Sequence, residues 1–120
     1  MDWQTVELLG YTHYSSQGFT ILTALVRNDG YDFVAEKDGD FIRVNVKCAG
    51  LKDKTNPDSW CISEASGSKV CASRNGRAKK SKVDVYLTYL PQHGRFLELP
   101  GDFFDGSVSK SKRIPKHFLK

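Results

Sequence analysis

The 120-residue sequence predicts an α/β or α+β domain in which one helix packs on a mixed sheet. Three observations carry that expectation: an N-terminal helical segment closed by a glycine, two alternating runs joined by Asp-Gly, and a later pair of apolar runs separated by PQHG. An apolar content of 39% and a charged content of 27% are the proportions of a globular domain, and the length suits a single one.

The elements follow in chain order. Residues 4 to 17 read as a helix with Gly18 as its C-terminal stop, weakened in the middle by Gly10, Tyr11 and Thr12. Phe19 to Leu25, FTILTAL, is rich in β-branched and apolar residues and reads as a strand. Residues 31–37 and 40–48 form the arms of a hairpin, because Asp-Gly within KDGD lies between two alternating runs. Pro57, Gly67 and Gly76 chop the next region, leaving short strands at Trp60 to Ile62 and Lys69 to Ala72. Val83 to Leu90, VDVYLTYL, is a strand, and RFLELP follows it after a turn.

Composition excludes several classes. No apolar run approaches the roughly 20 residues of a membrane span, and MDWQTVELLG lacks the basic-then-apolar order of a secretory signal, so an intracellular, cytoplasmic location without membrane association is expected. Cys48, Cys61 and Cys71 are odd in number and contain no CxxC pair, which predicts reduced thiols of structural role.

Charge is distributed unevenly. Residues 1 to 64 hold 6 Lys/Arg against 10 Asp/Glu, whereas residues 65 to 120 hold 12 against 4. Two acid-free segments dominate the positive half: Lys69 to Lys82 with six basic residues, and Ser109 to Lys120 with five. Such stretches bind polyanions by releasing condensed counterions, which makes nucleic acid the leading partner. The domain is accordingly read as residues 1–108 with a basic insertion around 65–82, followed by a basic C-terminal tail at 109–120. Arg74, Arg77, Lys79 and Lys80 are the expected DNA contacts of that insertion, chiefly to the backbone.

The second hairpin arm puts Phe41, Arg43, Asn45 and Lys47 on one face and Ile42, Val44 and Val46 on the other. Closing the hairpin at Asp38 and Gly39 brings Asp32 to the level of Asn45 to Lys47. A carboxylate, an amide and an ammonium then converge on one small volume.

An early helical Glu, then GFTIL, YDFVAE, a DG turn, FIRVNVK, VDVYLTYLP and GRFLELP together resemble a small PD-(D/E)XK nuclease, a restriction-endonuclease-like core of mixed sheet and flanking helices. Within that superfamily the chain is most similar to cyanobacterial intron-encoded homing endonucleases. Glu7 lies 25 residues before Asp32, and Asp32 lies 15 before Lys47, spacings that suit this group. The resemblance covers residues 4 to 104, with 51 to 82 loosely matched.

What the resemblance implies is a metal-dependent DNA endonuclease using Mg²⁺ or Mn²⁺. It assigns Asp32 as the central metal ligand, Glu7 as a carboxylate reaching in from the helix, and the Val46 backbone carbonyl as a further ligand. Lys47 would touch the attacking water and the phosphate. Asn45 completes the catalytic set but departs from the pattern, since most members carry a carboxylate there and the homing group an amide. Arg43 shares the site face and is a candidate phosphate contact, whereas Glu36 lies toward the turn and reads as a surface charge.

His13, His93 and His117 form no metal spacing, and Trp60 and Tyr86 read as core aromatics. A chain this short has little surface with which to specify a long site alone, since specific protein–DNA interfaces bury about 1,000–2,500 Å². A homo-oligomer, dimer or tetramer, on double-stranded DNA is therefore expected, in a bacterial or phage setting. Two other readings stand beside homing: a junction-resolving or repair nuclease, and a DNA-binding protein of the same fold with weak or absent catalysis.

Overall fold

The computed structural model describes residues 2–25, 30–51, 55–56, 59–63, 83–105 and 111–119. Helix α1 spans Trp3–Ser15 and is followed, among the described residues, by eight strands: β1 Thr20–Leu22, β2 Phe33–Lys37, β3 Asp40–Cys48, β4 Gly50–Leu51, β5 Trp60–Ser63, β6 Val85–Leu90, β7 Arg95–Pro100 and β8 Ser111–Arg113. A 3-10 turn, Lys116–Leu119, follows β8. The main sheet has the order β1-β2-β3-β6-β7, and β4-β5-β8 form a second, smaller sheet. Within the main sheet β3 and β6 run parallel and the other pairs antiparallel, so the sheet is mixed as the sequence predicts.

Helix α1 begins where it does because the Asp2 side chain accepts a hydrogen bond from the Thr5 N–H at 2.8 Å, satisfying one of the orphan donors of the first turn. Its buried positions, Val6, Gly10 and Tyr14, recur every four residues and form one stripe facing the sheet. The middle of the helix holds because Gly10 is the point of closest approach. A Cβ there would sit 3.2 Å from Val46 Cγ2 and 3.3 Å from Leu87 Cδ2. Gly10→Leu is therefore expected to push α1 off the sheet and cost about 2 kcal/mol or more, read from the denaturant midpoint.

The hairpin closes as its sequence requires. Asp38 (φ 54°) and Gly39 (φ 85°) both occupy the left-handed region, the two-residue turn whose twist matches the flanking strands. Glu36 belongs to that turn, its Oε2 accepting from the Gly39 N–H at 3.0 Å. The strand expected over Phe19 to Leu25 is confined to Thr20–Leu22, where pairing with Val34 to Glu36 ends.

Two cores flank the main sheet. Under α1 lie Val6, Tyr14, Phe33, Ala35, Val44, Val46, Leu87 and Tyr89. On the opposite face the β6–β7 end is covered by Trp60, Ile62, Phe103, Phe104 and Ile114. At the β1–β3 end of that face Leu22 and Phe41 are exposed.

Residues 111–119, read from the sequence as part of a basic tail beyond the domain, are built into this second core. β8 pairs with β5, the Ile114 N–H donates to the Trp60 carbonyl at 2.8 Å, and Ile114 is fully buried. The apolar residues Ile114, Phe118 and Leu119 interleave with the basic ones and supply the packing. Cys48 and Cys61 are free thiols, and the expected strand at Lys69 to Ala72, like Cys71, lies outside the described residues.

Candidate active site

The parallel β3–β6 pair and the β2–β3 hairpin meet at the end of β3. Phe33 pairs with Val44, which sets Asp32 opposite Asn45, one residue before β2 begins. Because the ladder has ended there, the Asp32 side chain takes the place of a strand partner. The Asp32 N–H donates to the Val44 carbonyl at 2.8 Å, and Asp32 Oδ2 accepts from the Val46 N–H at 2.6 Å. In an antiparallel pair the N–H and C=O of one residue point to the same edge, so the Val46 carbonyl faces the Asp32 side as well.

Lys47 follows on the other face of β3, pairs with Thr88 of β6, and is 4% exposed, its Nζ 6.0 Å from the centroid of the Tyr86 ring. Burial of a charge this deep requires compensation. It is supplied in part by Asp32, since the Lys47 ammonium acts to lower the proton affinity of that carboxylate.

Glu7 sits one position past the buried Val6–Gly10–Tyr14 stripe, at the margin of α1. Its carboxylate accepts a hydrogen bond from the Tyr11 hydroxyl at 2.8 Å. The charges of Glu7 and Asp32 act on each other. Burial pushes the Asp32 carboxyl up to about 6; the Val46 N–H opposes that rise, Glu7 adds to it and Lys47 opposes it. Burial likewise pushes the Tyr11 phenol up to about 12, with the Glu7 hydrogen bond and the charges of Glu7 and Asp32 contributing.

Asn45 is half-buried and its Nδ2 donates to the Gly30 carbonyl at 3.4 Å, a long bond. Only the amine end of the amide can meet a carbonyl, so Oδ1 is turned the other way. Arg43 stands two residues nearer the turn and is clamped by Asp84. Its Nε and Nη2 donate to the two Asp84 oxygens at 3.1 and 3.2 Å, and its backbone N–H donates to Asp84 Oδ2 at 2.8 Å. Arg74, Arg77, Lys79 and Lys80 lie outside the described residues.

Glu7, Asp32, Val46, Lys47 and Asn45 are thus gathered at one end of β3, whereas Arg43 is held by the acid that immediately precedes β6. Glu36 is at the turn. His13 packs on Tyr14 and Phe96, His93 on Trp60, and His117 on Phe118, away from this cluster. Sequence reasoning misses Tyr11 as a member of the site, although its i+4 spacing from Glu7 on a helix is a signal that finds it.

A family model described as PD-(D/E)XK endonuclease matches residues 7–116. The chain belongs to the PD-(D/E)XK endonuclease family. The matched span opens on Glu7 and runs through β8, so the PD-(D/E)XK match takes in residues beyond 108. Among solved structures, a bacterial homing endonuclease, I-Ssp6803I, superposes with a TM-score of 0.69 over 92% of this chain and 70% of its own, at 17% identity. That likeness shows the shared PD-(D/E)XK fold. No curated protein sequence matches the chain.

The donor set suits a hard divalent cation. Glu7 and Asp32 present carboxylate oxygens and Val46 a carbonyl, and the Asp32 carboxylate is buried with the like charge of Glu7 acting on it. Among the described residues no group of three His, Cys, Asp or Glu side chains is placed to hold a metal ion, and the donors named here are two acids and a carbonyl. Magnesium is commonly held in this way, by one or two carboxylates with water and phosphate completing the octahedron.

Proposed function

We propose that the protein is a magnesium- or manganese-dependent DNA endonuclease that hydrolyses phosphodiester bonds at the end of β3. The observation that carries this reading is the Asp32 carboxylate bonded to the Val46 N–H beside a buried Lys47 and within the field of Glu7. A bound cation supplies charge neutralisation for the scissile phosphate and lowers the pKa of the attacking water. Lys47, fixed between β3 and β6, orients that water and stabilises the charge that develops on phosphate. Its burial keeps the ammonium poorly hydrated and so more effective. Asp32 and Glu7 are the side chains that would hold the cation.

The basic segments draw the DNA backbone toward the site, and a homo-oligomer provides the second site needed to cut both strands. Arg43 contributes to phosphate binding only by sharing its charge with Asp84. The homing reading follows from the resemblance of several features in register: GFTIL, the paired hairpin, and VDVYLTYL followed by a Pro-terminated strand. The catalytically weak reading is favoured by one specific observation, the amide of Asn45 where most members have a carboxylate. A plasmid-nicking assay with and without magnesium, run beside a gel shift, separates them: nicking dependent on the cation supports the nuclease, and retention without nicking supports a binding protein.

Asn45→Asp refines this. Its Nδ2 faces the Gly30 carbonyl, so a carboxylate there meets an acceptor and stands close to the scissile phosphate. The maximal cleavage rate is expected to fall. A lower half-saturating magnesium concentration with undiminished maximal rate would show instead that Asn45 is a weakened ligand.

A further inference from the structure

We propose that Tyr11 is a positioning residue that holds the Glu7 carboxylate in its cation-binding orientation, occupying one oxygen and leaving the other for the metal. The inference rests on the reading of Glu7 and Asp32 as cation ligands.

The two acids differ in how firmly the chain holds them. Asp32 is short, lies against the end of a strand, and gives one oxygen to the Val46 N–H at 2.6 Å. Glu7 has one more rotatable bond, stands at the helix margin, and is repelled by Asp32. Unrestrained, it gains entropy and relieves that repulsion by turning to solvent.

The Tyr11 hydroxyl opposes both tendencies by donating to Glu7 Oε1 at 2.8 Å from one helical turn away. A hydrogen bond to an ionised acceptor is stronger than one between neutral groups. The hydroxyl is itself well anchored. The Tyr11 ring meets Phe33 edge-on, centroids 4.9 Å apart with an interplanar angle of 81°. Phe33 is fully buried and directly follows Asp32. The linkage from Glu7 through Tyr11 and Phe33 thus fixes the helix acid relative to the strand acid. Each acid then has one oxygen on an N–H or O–H donor, and the proposal assigns the other, Asp32 Oδ1 and Glu7 Oε2, to the cation.

Tyr11→Phe tests this, because it keeps the ring against Phe33 and removes only the hydroxyl. Manganese titrated calorimetrically into the full-length protein without DNA is expected to bind about five- to tenfold more weakly. With DNA and magnesium, the half-saturating magnesium concentration should rise by more than the maximal rate falls. On a Glu7→Ala background, Tyr11→Phe should produce no further loss of manganese affinity. Unchanged manganese affinity in Tyr11→Phe, while Glu7→Ala is weakened, overturns the positioning role and leaves the ligand assignment standing. Unchanged affinity in Glu7→Ala overturns both. A lowered melting temperature with manganese affinity preserved assigns the hydroxyl to helix stability alone and also overturns the proposal.

Discussion

Replacing Asp32 by asparagine is expected to lower the cleavage rate by about 10³-fold or more while making the metal-free protein more stable at neutral pH. The carboxylate is the proposed central ligand, and an amide oxygen in its place loses the charge that attracts a divalent cation. Yet that amide oxygen would still accept the Val46 hydrogen bond, so the end of β3 keeps its geometry. The stability gain follows from proton linkage. The folded-state value of about 6 stands above the ordinary 3.8, so the folded protein binds this proton more tightly than the unfolded chain. The wild type therefore carries the full cost of the buried charge above pH 6, sheds it as pH falls, and is nearly free of it below 3.8. Asp32→Asn removes a cost of about 2 kcal/mol at about pH 7 and almost none at about pH 3.5. Denaturant midpoints of both proteins across that range, with DNA retention and nicking measured alongside, check the expectation. Undiminished nicking removes Asp32 from the site.

The second large effect concerns affinity. Replacing Arg74, Arg77, Lys79 and Lys80 together by alanine is expected to weaken DNA binding and to flatten its salt dependence by roughly one unit of slope for every phosphate that is no longer neutralised. Gel shifts at several salt concentrations give the slope directly. An unchanged slope passes the role to the C-terminal basic residues. Among these Lys112 is committed, its Nζ donating to the Phe103 carbonyl at 2.6 Å above the Phe103 ring, whereas Arg113 and Lys116 are exposed.

Much of the candidate site is legible in the sequence because its determinants are local. Asp38-Gly39 fixes the hairpin register, the register sets Asp32 opposite Asn45, and alternation then places Val46 and Lys47. What the sequence does not supply depends on pairings distant along the chain. Lys47 pairs with Thr88 and lies over Tyr86, both in β6, and Arg43 is neutralised by an acid 41 residues away. The C-terminal segment reads as a basic tail beyond the domain from its charge, since the surfaces that bury Ile114 belong to Trp60 and Ile62. Helix propensity undervalues α1 at Gly10 for the same reason: it counts glycine as a loss, while the close approach of Val46 and Leu87 leaves little room there for a side chain.

The parallel pairing of β3 with β6 also governs the order in which the molecule can assemble. Helix α1 and the β1-β2-β3 meander are close in sequence, so they join quickly and can form while the rest of the chain is still being synthesised. Pairing Lys47 with Thr88 spans 41 residues, and pairing Cys61 with Arg113 spans 52, so both wait on costly loop closure. Every proposed ligand thus lies in the part that folds early, but the ammonium beside them is desolvated only when β6 docks. The proposed nuclease centre is completed by the slow step of folding, and a chain released before that step would carry the acids without the shielded lysine.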